Sequence, residues 1–164
     1  MISQEYKEIP LTKGFIAKVS LEDYEEINSH KWFVLYNPRK KTAYARRKEK
    51  GRQIFMHRVI MRATDKQVDH IDHDGLNNQR NNLRLATASQ NFANRMMQTN
   101  NTSGYRGVYL VKSGNRAKKW MAQIRKNYKD IFIGYYATKE EAAKAYNEAA
   151  TEYFGEFSNL NVIC

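Results

Sequence analysis

The stretch from Val68 to Asn91 constrains this chain more than any other. An acid and a histidine, Asp69-His70, end one short apolar run. Asp72-His73-Asp74-Gly75-Leu76-Asn77-Asn78 is dense in turn formers, and Asn82-Leu83-Arg84-Leu85 returns as a second run. Turn chemistry of that density between two short runs predicts a pair of strands. Thr87 with Gln90 three positions later has the pattern of a capping box, which predicts a helix carrying Asn91 in its first turns and continuing through Asn94, Arg95 and Met96. The segment reads β-β-α, with one polar side chain of interest on each piece. One geometric condition follows. Neighbours in a regular strand point to opposite faces, so Asp69 and His70 share a site only where the strand ends or bulges.

In order and spacing these residues resemble the HNH nucleases, and specifically their His-Asn-Asn branch of homing and phage type. The likeness covers Met56-His57-Arg58, Val68-Asp69-His70, Asn81-Asn82-Leu83-Arg84 and Thr87 to Asn91. It implies a ββα-metal module in which Asp69 and Asn91 hold a divalent ion, His70 is the general base and Asn82 braces the loop between the strands. Two oxygen ligands suit Mg²⁺ or Mn²⁺ better than zinc. A base that takes a proton from water must be neutral, at a pH near or above about 6.5. Arg80, Arg84 and Arg95 are expected to neutralise DNA phosphates near the cut. His57 falls outside this constellation and reads as a capping or core histidine, while Asp72, His73 and Asp74 read as turn residues.

The flanks agree with an α+β chain. Ahead of the motif, Ile9 to Val19 reads as a hairpin, Ser20 with Asp23 as the cap of a helix over Leu21 to Asn28, and 32–36, 42–46 and 53–56 as strands. Tyr44, Arg46 and Arg47 there are either packed or in contact with a phosphate backbone. Past the motif the composition turns polar over 97–104, a linker signal. The expected division is a nuclease domain at 1–97 with a β-rich lead-in, a linker at 98–103 and a second domain at 104–164.

In that second domain, strands are predicted over 105–110, 120–125 and 131–136, and a helix over 138–154 capped by Thr138 and Glu141. Ala142, Ala145, Tyr146, Ala149, Ala150 and Tyr153 share one helix face, and Trp120, Ala122 and Ile124 share one strand face. Tyr105-Arg106-Gly107-Val108, Trp120 to Arg125, Ile133-Gly134-Tyr135-Tyr136 and Glu141 to Ala150 resemble the AP2 DNA-binding domain. The resemblance implies a three-stranded antiparallel sheet in the major groove with the helix behind. DNA contacts then fall on Arg106, Gly107, Tyr109, Val111, Gln123, Arg125 and Phe132. Tyr109, Val111, Gln123 and Phe132 depart from the plant pattern, so the preferred sequence should differ. Arginine suits guanine and Gln123 suits adenine, although phosphate contact is as good a reading for any one of them.

Charge fits a polyanion partner. Twenty-eight Lys and Arg against 17 Asp and Glu give +11, and the excess is spread over both halves. No stretch approaches 18 apolar residues, so neither a membrane span nor a secretory signal is expected, and the one cysteine, Cys164, allows no internal disulfide. These point to an intracellular protein, cytoplasmic in a bacterial or phage-infected cell. Double-stranded DNA is the expected partner and a monomer the expected state, which with one site would nick. The competing reading is a non-catalytic, sequence-specific DNA-binding regulator that keeps a nuclease fold. An RNA-binding protein is a weaker third, since no paired aromatic RNA motif is present.

Overall fold

The computed structural model describes residues 5–97, 100–112 and 119–163. The start of the expected linker at 98–99 and Cys164 lie outside them. The chain is α+β and divides into two compact units, 1–87 and 88–164. This division falls ten residues before the end of the domain expected at 1–97, so the helix bearing Asn91 is grouped with the second unit.

In the first unit, β1 (Tyr6–Pro10) pairs antiparallel with β2 (Ile16–Ser20), and β2 also takes a short parallel strand, β7 (Asn77–Asn78). A second sheet is formed by β3 (Phe33–Asn37), β4 (Thr42–Glu49) and β5 (Arg52–Phe55), all antiparallel. Helix α1 (Tyr24–Asn28) lies between the two sheets in sequence, and α2 (Met56–Ile60) follows β5 directly. The last pair is β6 (Gln67–His70) with β8 (Leu83–Ala86). Ile9, Val19, Ile27, Trp32, Met56 and Val68 belong to a single buried cluster, with the Trp32 indole N–H donating to the Ile27 carbonyl at 2.8 Å. Burial of the apolar strand and helix faces is the main force holding these short elements together, because a five-residue helix is not stable alone.

The helix start expected at Ser20 forms differently. Leu21–Asp23 is a 3₁₀ turn, α1 begins only at Tyr24, and neither Ser20 nor Asp23 makes a side-chain cap. The competitor is Arg80. Its backbone N–H donates to Ser20 Oγ at 2.9 Å, and its guanidinium takes the Asp23 carboxylate at 2.6 to 3.2 Å. A charge-assisted bidentate pair outweighs a local cap.

In the second unit, α3 (Ala88–Asn94) precedes an antiparallel sheet ordered β11 (Lys129–Tyr136), β10 (Trp120–Lys126), β9 (Val108–Leu110). Helix α4 (Lys139–Phe154) has the expected capping box, with Thr138 accepting from Glu141 N and the Glu141 carboxylate accepting from Thr138 N. Ala142, Ala143, Tyr146 and Ala150 are buried, as are Val108, Ala122 and Ile124 on the sheet. Small side chains let helix and sheet backbones approach closely. Gly107 shows how closely: its φ is +69°, and a Cβ there would run into the Tyr146 ring and the Gln123 carbonyl. Strand β9 is shorter than the expected 105–110. Asn161 grips the backbone at Arg106, accepting from its N–H at 2.7 Å and donating to its carbonyl at 3.2 Å, which takes those groups away from a ladder. No helix among the described residues is long and apolar enough to cross a membrane.

Candidate active site and nucleic-acid interface

Strand β6 runs through Asp69 and ends at His70, and Ile71 N donates to the Asn82 carbonyl as the chain leaves the ladder. Register places Asp69 opposite Arg84 and His70 opposite Leu83. Asp69 and His70 are both buried, at 5% and 7% exposure.

Burying a carboxylate requires a partner. Arg84 supplies one, with Nε at 2.9 Å and a terminal nitrogen at 2.8 Å from the same Asp69 oxygen. Arg84, expected to meet phosphate, is thus the counter-ion of Asp69. Alternation gave the means to foresee this, since partners across a two-stranded ladder share a face. Among the other two arginines, Arg80 is engaged by Asp23 and Glu22, and Arg95 lies over the Phe92 ring at 5.2 Å.

His70 sits among rings. Its centroid is 5.9 Å from Tyr44 and 5.1 Å from His57, which meets it edge-on, and His57 also stacks on Phe55 at 5.5 Å. Burial pushes the His70 pKa below its ordinary value, and a hydrogen bond to Asn78 with the charges of Asp72, Asp69 and Asp74 only partly opposes it. The imidazole is therefore neutral at neutral pH. His57 is pushed down to about 3, first by burial and then by repulsion from His70, once that ring is protonated, and from Arg58. Its Nδ1 is buried without a hydrogen-bond partner. His57 is a core histidine, as its sequence position suggests, but one in ring contact with His70. No spacing rule links the two, because they lie on separate elements brought together by packing. Tyr44 likewise packs in this cluster, and Arg47 lies over Trp32 at 5.3 Å while pairing with Glu49.

The loop after His70 is held by side-chain amides. Asn82, 7% exposed, accepts from Asp72 N at 3.0 Å and donates at 2.8 Å both to the Asp72 carboxylate and to the Asn77 carbonyl. Asp72 also accepts from Asn77 Nδ2 and from Asp74 N. Burial alone would raise the Asp72 pKa, but these bonds outweigh it and hold the carboxyl below the usual range. A side chain on Gly75 would collide with the Ala43 carbonyl and the Tyr44 ring, so the loop can lie against β4 only with glycine there. Asn78 is fully buried and reaches His70 Nε2 at 3.4 Å.

Asn91 lies on α3, half-buried, in the second unit. Of the residues expected to touch DNA there, Arg106 donates to the Ala93 carbonyl at 3.0 Å and bonds the Tyr146 hydroxyl, and Gly107 is committed to the close approach described above. The face of the sheet away from α4 carries the rest. Tyr109 and Tyr135 flank Met121 in register, Phe132 is opposite Gln123, and the Phe132 and Tyr135 rings are 5.0 Å apart. Phe132 and Tyr109 are about half exposed, at 55% and 47%. Arg125 is exposed and bound by Asp130 through two 2.8 Å contacts. Val111 sits beyond the end of β9, its N–H bonded to the Lys119 carbonyl.

The family model for HNH endonucleases matches residues 55–93, which span α2, the β6–β8 pair and most of α3. An ethylene-responsive transcription factor of Medicago truncatula is 32% identical over 90 residues, covering 54% of this chain but only 32% of the plant protein. No solved structure matches. An HNH endonuclease of Acanthamoeba polyphaga mimivirus, itself uncharacterized, is 34% identical over 157 residues, covering 92% of this chain and 77% of the viral protein. With a buried acid-histidine pair at a strand end and similarity along nearly its whole length, this chain belongs to the HNH endonuclease family.

Proposed function

We propose that the protein is a divalent-metal-dependent DNA endonuclease that hydrolyses phosphodiester bonds in double-stranded DNA and is directed to its site by an AP2-like second domain. The observation that carries this reading is His70: buried, neutral, ringed by Tyr44 and His57, and adjacent to the buried Asp69 carboxylate. A neutral imidazole held in one orientation is what a general base for water requires.

The donor chemistry fits a hard ion. Asp69 supplies an anionic oxygen and, by resemblance, Asn91 a neutral one. Among the described residues no group of three or more His, Cys, Asp or Glu gathers to hold an ion. Two oxygen donors of this kind would suit Mg²⁺ or Mn²⁺. When bound, the ion supplies charge neutralisation at the scissile phosphate and the leaving oxygen. His70 takes a proton from the attacking water, and Asn82 keeps the loop and hence the histidine in place. Arg84 holds the Asp69 carboxylate in position.

In the second domain, the exposed face of the sheet offers Tyr109, Phe132, Gln123 and Arg125 to DNA. Apolar rings suit thymine methyl groups and Gln123 suits adenine, whereas Arg125 must leave Asp130 to reach guanine or phosphate. A monomer with one such site cuts one strand, and action inside the cell accords with the lone cysteine.

Arg84 on Asp69 also favours a second reading, the non-catalytic DNA-binding regulator, since a guanidinium there competes with a metal ion. Incubating supercoiled plasmid with Mg²⁺ or with a chelator separates the two. Open-circle product that needs Mg²⁺ and vanishes in His70→Ala supports the nuclease. DNA retardation in a gel without any cutting, across Mg²⁺ and Mn²⁺, supports the regulator.

A further inference from the structure

We propose that Asn78 is a positioning residue that fixes the tautomer of His70, keeping the proton on Nε2 and leaving Nδ1 as the nitrogen that accepts a proton from water. The tautomer itself is a property of the fold; its catalytic meaning rests on the assignment of His70 as base.

The argument begins with an amide whose two ends are chemically distinguished. Asn78 is fully buried on β7, and its Nδ2 points at two backbone carbonyls, Leu76 at 3.1 Å and Gly75 at 3.5 Å. Carbonyl oxygens only accept, so the amide nitrogen must be the end that faces them. Oδ1 is then the atom that faces His70 Nε2 at 3.4 Å. It too only accepts, so Nε2 has to donate. A neutral imidazole carries one proton, which places the basic lone pair on Nδ1. The opposite tautomer would set two lone pairs against each other between two buried side chains, leaving both acceptors unsatisfied. At 3.4 Å the bond is long, so its weight is in selection between tautomers rather than in overall stability. The His57 and Tyr44 rings, 5.1 and 5.9 Å away, restrict the turning of the imidazole that would exchange nitrogen for carbon at the Asn78 end.

The arrangement also survives the chemical step. As the water O–H bond breaks, its electron pair stays on the oxygen that attacks phosphorus. The proton goes to Nδ1, and the P–O bond opposite breaks with its pair on the leaving oxygen. His70 becomes imidazolium, with protons on both nitrogens. Nε2–H still donates to Asn78, so the brace need not move. Asn78 was not among the residues singled out from the motif, because in the sequence it is one more asparagine in a run of turn formers.

The test uses full-length protein with ¹⁵N-labelled histidine at a pH where the ring is neutral. Two-bond ¹H–¹⁵N correlations report which nitrogen is protonated, and the His70 signals are assigned by their loss in His70→Gln. The expected result is the Nε2–H pattern in the wild type. A His70 in the Nδ1–H form, or an even mixture, overturns the proposal.

Asn78→Leu and Asn78→Asp both remove the Nδ2 donor that braces the loop, but only the aspartate keeps an acceptor for Nε2. Asn78→Leu should lose the Nε2–H pattern and lower kcat about tenfold or more with KM for DNA little changed, since a wrongly placed proton disables a base without affecting binding. Asn78→Asp should restore the pattern and recover a large part of kcat. If Asn78→Leu keeps both the pattern and the rate, Asn78 has no such role. Should the aspartate variant fail to fold, the wild-type tautomer still decides. If His70→Ala cuts at the wild-type rate while the Nε2–H pattern holds, the base assignment fails and the tautomer assignment stands.

Discussion

The candidate sites in the two units handle polar side chains in opposite ways. In the first, Asp69, His70, Asn78 and Asn82 are all less than a tenth exposed, and the contacts around them run through Arg84, Asp72 and the backbone of residues 75–77. In the second, the groups facing away from α4 are exposed: Tyr109, Phe132 and an Arg125–Asp130 pair in open solvent. Chemistry needs atoms fixed to a fraction of an ångström, which only burial with satisfied hydrogen bonds provides. A docking face needs to be presented and can keep its charges loosely tied, because an exposed ion pair contributes little to stability and is easily exchanged. Single substitutions should therefore be severe in the first unit and mild in the second.

The largest effect is expected at His70. His70→Ala should reduce metal-dependent nicking of supercoiled plasmid by about 10²- to 10⁴-fold while gel-shift affinity for DNA stays nearly constant. Cutting at the wild-type rate under saturating metal would show that the buried constellation is not the reactive one.

Next comes Arg84→Ala, which leaves Asp69 buried without its counter-ion and should destabilise the fold by about 3–5 kcal/mol, read by thermal or denaturant unfolding. Because a divalent ion can replace the lost positive charge, Mg²⁺ should raise the Tm of this variant more than that of the wild type. Equal shifts would argue against Asp69 as a ligand.

Acid should separate the units by a smaller margin. His57 has a folded pKa of about 3 against about 6.5 when unfolded. Between those values the unfolded chain binds the extra proton, so stability is complete above about pH 6.5 and declines as pH falls, by about 1.4 kcal/mol per unit for this one group. His70, also lowered, adds in the same direction. His57→Phe should flatten the unfolding midpoint between pH 6.5 and 4.5, and an unchanged slope would place the acid-labile group elsewhere.

The mildest effect belongs to the exposed face. Asp130→Ala frees Arg125 without burying or exposing anything, so folding should be untouched. The slope of log affinity for DNA against log salt should steepen by about one. If neither the slope nor the affinity changes, Arg125 does not meet DNA.

Elements whose signals are local were legible in the sequence. The capping box at Thr138 and Glu141 forms as its spacing predicts, and the inward set Ala122 and Ile124 follows from alternation alone. Ser20 and Asp23 offer the same local pattern, yet it does not form, because Arg80, 57 residues later than Asp23, makes the stronger bonds to both. A capping box contributes about 1 kcal/mol, so any distant charged partner delivered by packing can override it.

By itself the sequence determined the two strands around Asp69-His70, the helix after Thr87 and the alternating core faces. Each of these depends on residues within a few positions of one another. Tertiary structure alone decided the partners that no ladder register supplies: the ring of His57 and the amide of Asn78 for His70, Asn161 for the backbone of Arg106. The physical reason is desolvation. Once water is removed, a buried charge or amide must take the nearest complementary atom in space, and register and packing bring that atom there from anywhere in the chain.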